Sequence, residues 1–327
     1  MDCRRREPGS RRQVPRSQER WGRRRWIVTD RAPLPVTVLL AVKNEAVNLP
    51  RCLESLRRAS RVVLLDSQSV DGTPDVAAQY GAEVVQFEYS GGYPKKRQWA
   101  LENLDIATPW VMFVDADEVV PDALWREIEL VIKSPSPAAG YLVEKSFHFL
   151  GRRLRFGGFS HAAVILIQFG RARFEHLVDE VCSGLDMEVH ERLIVDGPVG
   201  RLKGSLVHED FKGLSAYIDR HNKYSTWEAY VRNSMLSGCG FSGDAVRPRI
   251  FGNTQERRRF LKLIAMRIPC EPLLWFLYHY IFRLGFLEGR RGLIAAQVRS
   301  SYIAQVRAKM FELRLAPAKR RRRPRGR

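Results

Sequence analysis

Residues 110–118 read WVMFVDADE: an apolar run that breaks without transition into two aspartates and a glutamate. Such a run predicts a strand buried on both faces, with polar chemistry gathered at its carboxyl end. At a strand end the period of two points both side chains of an Asp-x-Asp the same way. Hard divalent cations want oxygen ligands and often take one or two protein carboxylates completed by substrate phosphates. Asp117 is therefore a candidate metal ligand, with Asp115 beside it. Working outward, VTVLLAV (36–42), RVVLLD (61–66) and AEVVQFEY (82–89) are further strand candidates. Each is followed by a helix-like segment, and PDALWREIELVIK follows the acids; Leu49, Leu53 and Leu56 lie at helical spacing. Repeated strand–helix units predict an α/β fold, a mostly parallel sheet flanked by helices and joined by right-handed crossovers. Ligands in such sheets bind beyond the carboxyl ends of the strands. Those ends carry Lys43-Asn44-Glu45, Asp66-Ser67 and Asp115-Ala116-Asp117.

Composition narrows the class. Of 327 residues, 45% are hydrophobic and 28% charged, which excludes collagen, a coiled-coil rod, a disulfide miniprotein and a wholly disordered chain. The net charge of +19 invites a nucleic-acid reading until it is located. Residues 1–31 contribute +7 and residues 317–327 another +7, so the rest of the chain is nearly ordinary. No stacking aromatics accompany Arg320–Arg323, so nucleic acid is not the expected partner. Five scattered cysteines without a C-x-x-C pair suit a reducing compartment. No apolar h-region follows the Arg-rich start, so no secretory signal is read there.

The expected organisation is a disordered arm (1–33), an α/β domain (34–240), a helical extension (241–313) and a basic tail (314–327). Residues 140–200 read as short mixed strands and loops. Within DSQSVDGT (66–73), Asp66 can accept hydrogen bonds from a nucleobase or ribose, whereas Thr73 is expected to cap the next helix. PLLWFLYHYIFRLGFLEG (272–289) is apolar and aromatic, but interrupted by His279 and Arg283. It is too short to span a bilayer, which needs roughly 20 apolar residues. It suits a helix lying in an anionic membrane interface, or a core helix packed on the α/β domain.

LLAVKNEAVNLPRCLESL, VVLLDSQSVDGTPDVAAQYGA, GGYPKKRQWAL and WVMFVDADEVV, in this order, resemble the N-terminal half of family 2 glycosyltransferases. The likeness is to the subgroup around the lipopolysaccharide-core β-glucosyltransferases. GPVGRLKGSLVHEDFKGLSAYIDRHNKYSTWEA (197–229) and FLYHYIFRLGFLEGRRGLIAA (276–296) resemble that subgroup's C-terminal half. The resemblance implies a GT-A fold with a membrane-peripheral C-terminal extension, acting in the cytoplasm on the inner face of the cell membrane. It also implies a nucleotide-diphosphate sugar donor, Mg²⁺ or Mn²⁺, a glycan or lipid-linked acceptor, and inversion at the anomeric carbon. Carried over by position, Glu45, Asp66, Lys95, Gln98 and Asp115 are donor-binding residues; Gln98 stands where relatives usually carry Asn. Asp117 is the metal ligand, with Asp115 and His208 as further candidates. The general base is expected at Glu191, with Glu180 and Asp210 as alternatives. One departure stands out. After Gly157-Gly158-Phe159, the apolar run Ala163–Ile167 replaces a polar segment usual in relatives. It points to a changed acceptor grip or to a catalytically silent glycan- or lipid-binding relative. A sugar nucleotidyltransferase of the same fold is a further alternative, but AVKNEAVNLP lacks its Gly-rich phosphate loop.

Overall fold

The computed structural model describes residues 32–89, 93–175, 192–236, 248–252 and 254–315. The expectations placed on the N-terminal arm, the basic tail, Glu180 and Glu191 lie outside the described residues.

The four runs form the strands β1 (Leu34–Val42), β2 (Ala59–Asp66), β3 (Glu83–Gln86) and β4 (Trp110–Val114). They pair in parallel in the order β3-β2-β1-β4, so all four carboxyl ends open on one rim. Strand β1 shows why its run is continuously apolar. Val36, Val38 and Leu40 face a layer containing α1 (Leu49–Ser55), α2 (Thr73–Gln79) and α4 (Asp122–Ile132). Leu39, between them, faces the opposite layer with α3 (Lys96–Asn103). Both faces are covered, so neither can be polar. Leu49, Leu53 and Leu56 are all buried in the first layer, as their spacing predicts. There the Trp125 indole satisfies its N–H on the Ser55 carbonyl at 2.7 Å.

Beyond β4 the sheet becomes mixed, and with its flanking helices the whole is GT-A-like. Its path continues through β8 (His161–Gln168), β6 (Gly140–Phe149), β11 (Val199–His208) and the short β5 (Glu118–Val119). The two-residue β7 (Arg152–Arg153) pairs with β6, and β9 (Ala172–Phe174) pairs with β10 (Leu193–Val195). Only β6 and β11 pair in parallel there, so "mostly parallel" holds for the first half of the sheet alone. Strands β6, β8 and β11 have eight to ten residues, longer than the sequence suggests. Glycines and inward-facing polar residues such as Lys145 and Ser146 mask their periodicity.

The apolar departure falls in the middle of β8. Ile165, Leu166 and Ile167 are fully buried between β4 and β6, contributing to both layers. A central strand of a sheet covered on both sides requires apolar residues there, so core packing accounts for this run.

The C-terminal helices are α5 (Gly213–Leu236), α6 (Thr254–Ala265), α7 (Glu271–Leu277) and α8 (Gly289–Leu315). The segment between α7 and α8 is a π turn (Tyr278–Phe282) followed by a 3₁₀ turn (Gly285–Glu288). Helices α5 and α8 pack through Ala229, Tyr302, Ile303, Val306 and Met310. Buried Arg232 ties this layer together, holding Glu228 and Glu271 each at 2.8 Å. Among the described residues, no helix is long and apolar enough to cross a membrane.

If β8 is core, Leu166→Ala should lower unfolding free energy by about 2–5 kcal/mol, the usual cost of such a truncation. Urea denaturation measures this; a loss below about 1 kcal/mol would contradict the packing described.

Candidate active site

Local bonding first fixes the loops at the strand ends. The β1 loop is stitched to the β2 loop by side chains. Thr73 Oγ1 accepts from the Glu45 backbone N–H at 2.8 Å, and Asp71 Oδ2 accepts from Ala46 N–H at 3.2 Å. Asn44 exchanges bonds with Ser69 and Val70. Thr73 therefore does not cap α2, which has no side-chain cap; its hydroxyl joins two loops. Asp66, fully buried, accepts from Ser69 N–H at 3.0 Å, from Ser69 Oγ at 2.5 Å and from Gln86 Nε2 at 3.0 Å. A cavity of about 200 Å³ near Gln86 is lined by Phe87, Tyr89, Tyr93 and Trp99.

Asp115 and Asp117 follow β4, and the chain turns at once into β5, where Glu118 is fully buried. Glu118 Oε2 accepts from the Asp115 N–H at 3.0 Å, which shapes this turn. Strand β11 runs beside β5 with His208 opposite Glu118. His208 Nε2 comes 3.4 Å from Asp117 Oδ2, and its Nδ1 lies 3.7 Å from Glu118 Oε1.

Cations from distant segments complete the cluster. Asp115 is held by Arg97 of α3 and by Lys145 of β6, whose Nζ is 2.9 Å away. Lys145 also meets Glu118 at 2.7 Å. From the α5 side, Arg220 bonds Asp210 at 2.5 Å and stands 3.9 Å from Glu45 and 4.0 Å from Asp117. Lys212 pairs with Glu45 at 2.5 Å. Asn48 donates to both Glu45 and Asp210.

The charge states follow from this arrangement. Burial disfavours ionised Asp115, but Lys145 and Arg97 outweigh it and push its pKa well below the usual carboxylate range. Burial likewise opposes Asp117, and His208 overcomes it, so that pKa also falls. Burial works against a charged His208, yet Asp117, with help from Glu118, raises its pKa to about 9. Glu118 goes the other way: burial, with Asp115 and Asp117 nearby, outweighs Lys145 and raises its pKa. Burial also raises Glu45, against its bonds to Lys212 and Asn48.

Asp117 Oδ2 and His208 Nε2 are two metal-ligand types brought close together. Two ligands about 2.1 Å from one cation at right angles stand roughly 3 Å apart, so the 3.4 Å contact, here an ion pair between Asp117 and charged His208, could take a shared ion in place of the imidazolium proton. No cluster of three or more His, Cys, Asp or Glu suited to a metal occurs among the described residues. Any ion here would need its remaining ligands from substrate and water.

The structure thus gathers Glu45, Asp115, Asp117, His208 and Asp210 into one rim cluster, with Asp66 on the neighbouring strand end. It does not bring Gln98 there. That amide donates to Glu102 at 2.7 Å and accepts from Phe174 N–H at 2.8 Å, holding the second core layer. Lys95 is buried, with its ammonium 5.1 Å from the centre of the Trp227 ring. Sequence reading missed Arg97, Lys145, Lys212, Arg220 and Glu118. Only Glu118 had a local signal, as the third acid of the run.

A family model described as glycosyl transferase family 2 matches residues 37–156. The chain is 28% identical over 296 residues to the lipopolysaccharide core biosynthesis glycosyltransferase LpsC of Rhizobium meliloti (strain 1021), covering 85% of this chain and 93% of that protein. It is 32% identical over 100 residues to an uncharacterized glycosyltransferase of Rickettsia felis, covering 30% of this chain and 34% of that one. Among solved structures, glucosyl-3-phosphoglycerate synthase from Mycobacterium tuberculosis, in complex with Mn²⁺, UDP and glucosyl-3-phosphoglycerate, aligns at 25% identity. That match covers 36% of this chain and 44% of the other, with a TM-score of 0.27.

Lys145→Met would leave Glu118 and Asp115 facing each other without their shared cation. Removing one partner of a buried pair typically costs about 3–5 kcal/mol. Urea titration should show a loss of that size, with Lys145→Arg recovering part of it. Equal stability of Lys145→Met and the parent would refute the pairing.

Proposed function

We propose, from the premise that residues 37–156 belong to glycosyltransferase family 2, that this chain is an inverting, metal-dependent sugar transferase of surface-glycan assembly. The donor is a nucleoside-diphosphate sugar, and the acceptor is a glycan or lipid-linked glycan of lipopolysaccharide type. Likeness to LpsC along 93% of that protein supports the acceptor class. Residues 34–240 form the catalytic unit and 241–313 its helical extension, which rests peripherally on the inner face of the cell membrane.

One observation carries this reading: a carboxylate and an imidazole, Asp117 and His208, converge at a strand-end rim already balanced by built-in cations. Asp117 and His208 would hold Mg²⁺ or Mn²⁺, with Glu118 Oε1 3.7 Å from the other imidazole nitrogen. When bound there, such an ion would supply charge to offset that growing on the leaving diphosphate. Asp66 and Asp115 take the donor's base and ribose. Glu45 braces the neighbouring loop, and buried Lys95 is a further proposed donor-binding cation.

The acceptor hydroxyl needs a base on the face opposite the leaving group. Asp210 suits this poorly, because its oxygens already accept from Arg220, Asn48 and Lys212 N–H. The proposed base is Glu191, with Glu180 and Asp210 as the alternatives. The apolar run in β8 gives no support to a silent relative, since it serves the core.

The balance of charges makes a measurable statement. Acids and cations nearly cancel in the cluster, so a lone divalent ion gains little there, whereas an ion arriving with a diphosphate gains much. Calorimetry should show Mn²⁺ binding at least about tenfold tighter with a matching nucleoside diphosphate present, roughly 1.4 kcal/mol of coupling. Asp117→Asn should remove that gain without unfolding the domain. Identical Mn²⁺ affinity with and without every nucleoside diphosphate tested would sink the metal assignment.

For the base, Glu191→Gln keeps shape but removes basicity. It should lower kcat by about 10²- to 10⁴-fold with donor affinity nearly unchanged. Transfer at the parental rate by Glu191→Gln, with loss in Glu180→Gln, would move the role to Glu180.

A further inference from the structure

The segment between Glu271 and Gly289 divides its side chains sharply. Glu271, His279 and Glu288 are buried, whereas Leu273, Leu274, Ile281, Phe282, Phe286 and Leu287 are exposed. Phe282 is 76% exposed. Leu274, Tyr278 and Phe282 recur every four residues through α7 and the π turn, the spacing of one helix face. Scattered apolar residues on a surface mean little, but so many on one short segment, three of them on one helix face, point to an interaction site.

The charge around the patch selects its occupant. Residues 257–309 contain eleven Lys or Arg and only two acids, Glu271 and Glu288. Both acids are buried and committed: Glu271 to Arg232 and Arg307, Glu288 to the backbone N–H groups of Arg155 and Phe156. Arg267, Arg283, Arg290, Arg291 and Arg299 are exposed. A second copy of the chain would bring the same basic rim against this one, which like charges oppose. An apolar face ringed by cations with no exposed carboxylate between them matches an anionic lipid surface.

We propose that this face seats in the headgroup and upper acyl region of an anionic phospholipid bilayer and thereby positions the loop that receives a lipid-linked acceptor. The acceptor part rests on the glycosyltransferase reading above. The loop in question, Arg155–Phe159, is fastened directly to the docking segment. Glu288 accepts from Arg155 and Phe156 N–H at 2.5 and 2.8 Å. Gly157 N–H donates to the Arg283 carbonyl at 2.8 Å, and its own carbonyl lies 2.5 Å from His279 Nδ1. The His279 ring is stacked between Phe159 and Trp275, at 5.2 and 5.0 Å. Gly158 has a φ of +65°, which favours glycine, and a Cβ there would also push aside the Arg283 guanidinium 2.8 Å away. From Phe159 the chain enters β8 at His161, which sits opposite Lys145 of the rim cluster. A bilayer held by the docking face is thus one short loop from the acids, and an acceptor anchored in that bilayer would arrive by this route.

Flotation of the full-length protein tests the docking face. The vesicles are phosphatidylglycerol with phosphatidylethanolamine, or phosphatidylcholine alone, each at roughly 0.15 M and roughly 1 M salt. The parent should float with the anionic vesicles and keep part of its binding at high salt, since salt does not screen apolar insertion. Phe282→Ser/Leu287→Ser should lower the vesicle partition coefficient about tenfold or more at both salts, with the melting temperature unchanged. Three outcomes would overturn the proposal: a double variant that floats like the parent, a parent released completely by high salt, or a parent dimer that the double variant splits in gel filtration. Flotation needs no sugar nucleotide, so the two readings fail separately. Loss of nucleotide-linked Mn²⁺ binding would fell the enzymatic reading while Phe282-dependent flotation left the docking face standing.

Discussion

Carboxylates crowded at the edge of a sheet repel one another unless cations are built in among them, and that requirement organises the rim of this protein. Asp115, Asp117 and Glu118 arrive together because one strand ends there. Their countercharges cannot come from the same strand. Lys145 reaches in from β6, Arg97 from α3, and Arg220 from α5. The mixed second half of the sheet and the long helix after it are therefore conditions for the acids being there at all. Lys145, touching both Asp115 and Glu118, ties together the two ends of the turn between β4 and β5.

This explains what could be read from the sequence. The acids were legible because a continuous apolar run followed by Asp-x-Asp is a local pattern, and so were the four parallel strands and their helices. The cations were not, because Lys and Arg are common and theirs is a long-range partnership: 30 residues separate Asp115 from Lys145. Strands β6 and β11 looked short because polar residues facing the rim interrupt their periodicity. Thr73 looked like a cap because Thr before a helix usually is one; here its hydroxyl joins two loops. Gln98 looked like a donor contact by position, yet its amide is occupied in the core.

The run Ala163–Ile167 shows the same distinction in reverse. Against relatives it reads as damage to a site, but within the sheet it reads as the requirement of a strand with neighbours on both sides and layers on both faces. A departure from a family pattern acquires meaning only when its place in the packing is known.

The bonds between Arg155–Phe159 and the segment after α7 also determine how the protein can be taken apart. A chain ended before Glu271 would lose the carboxylate that receives two of this loop's N–H groups, the carbonyl that receives a third, and the imidazole wedged beside Phe159. The helical end is thus not a detachable module. Chimeras that exchange it between homologous chains would have to carry the glycine loop across with it, as a single transplanted unit.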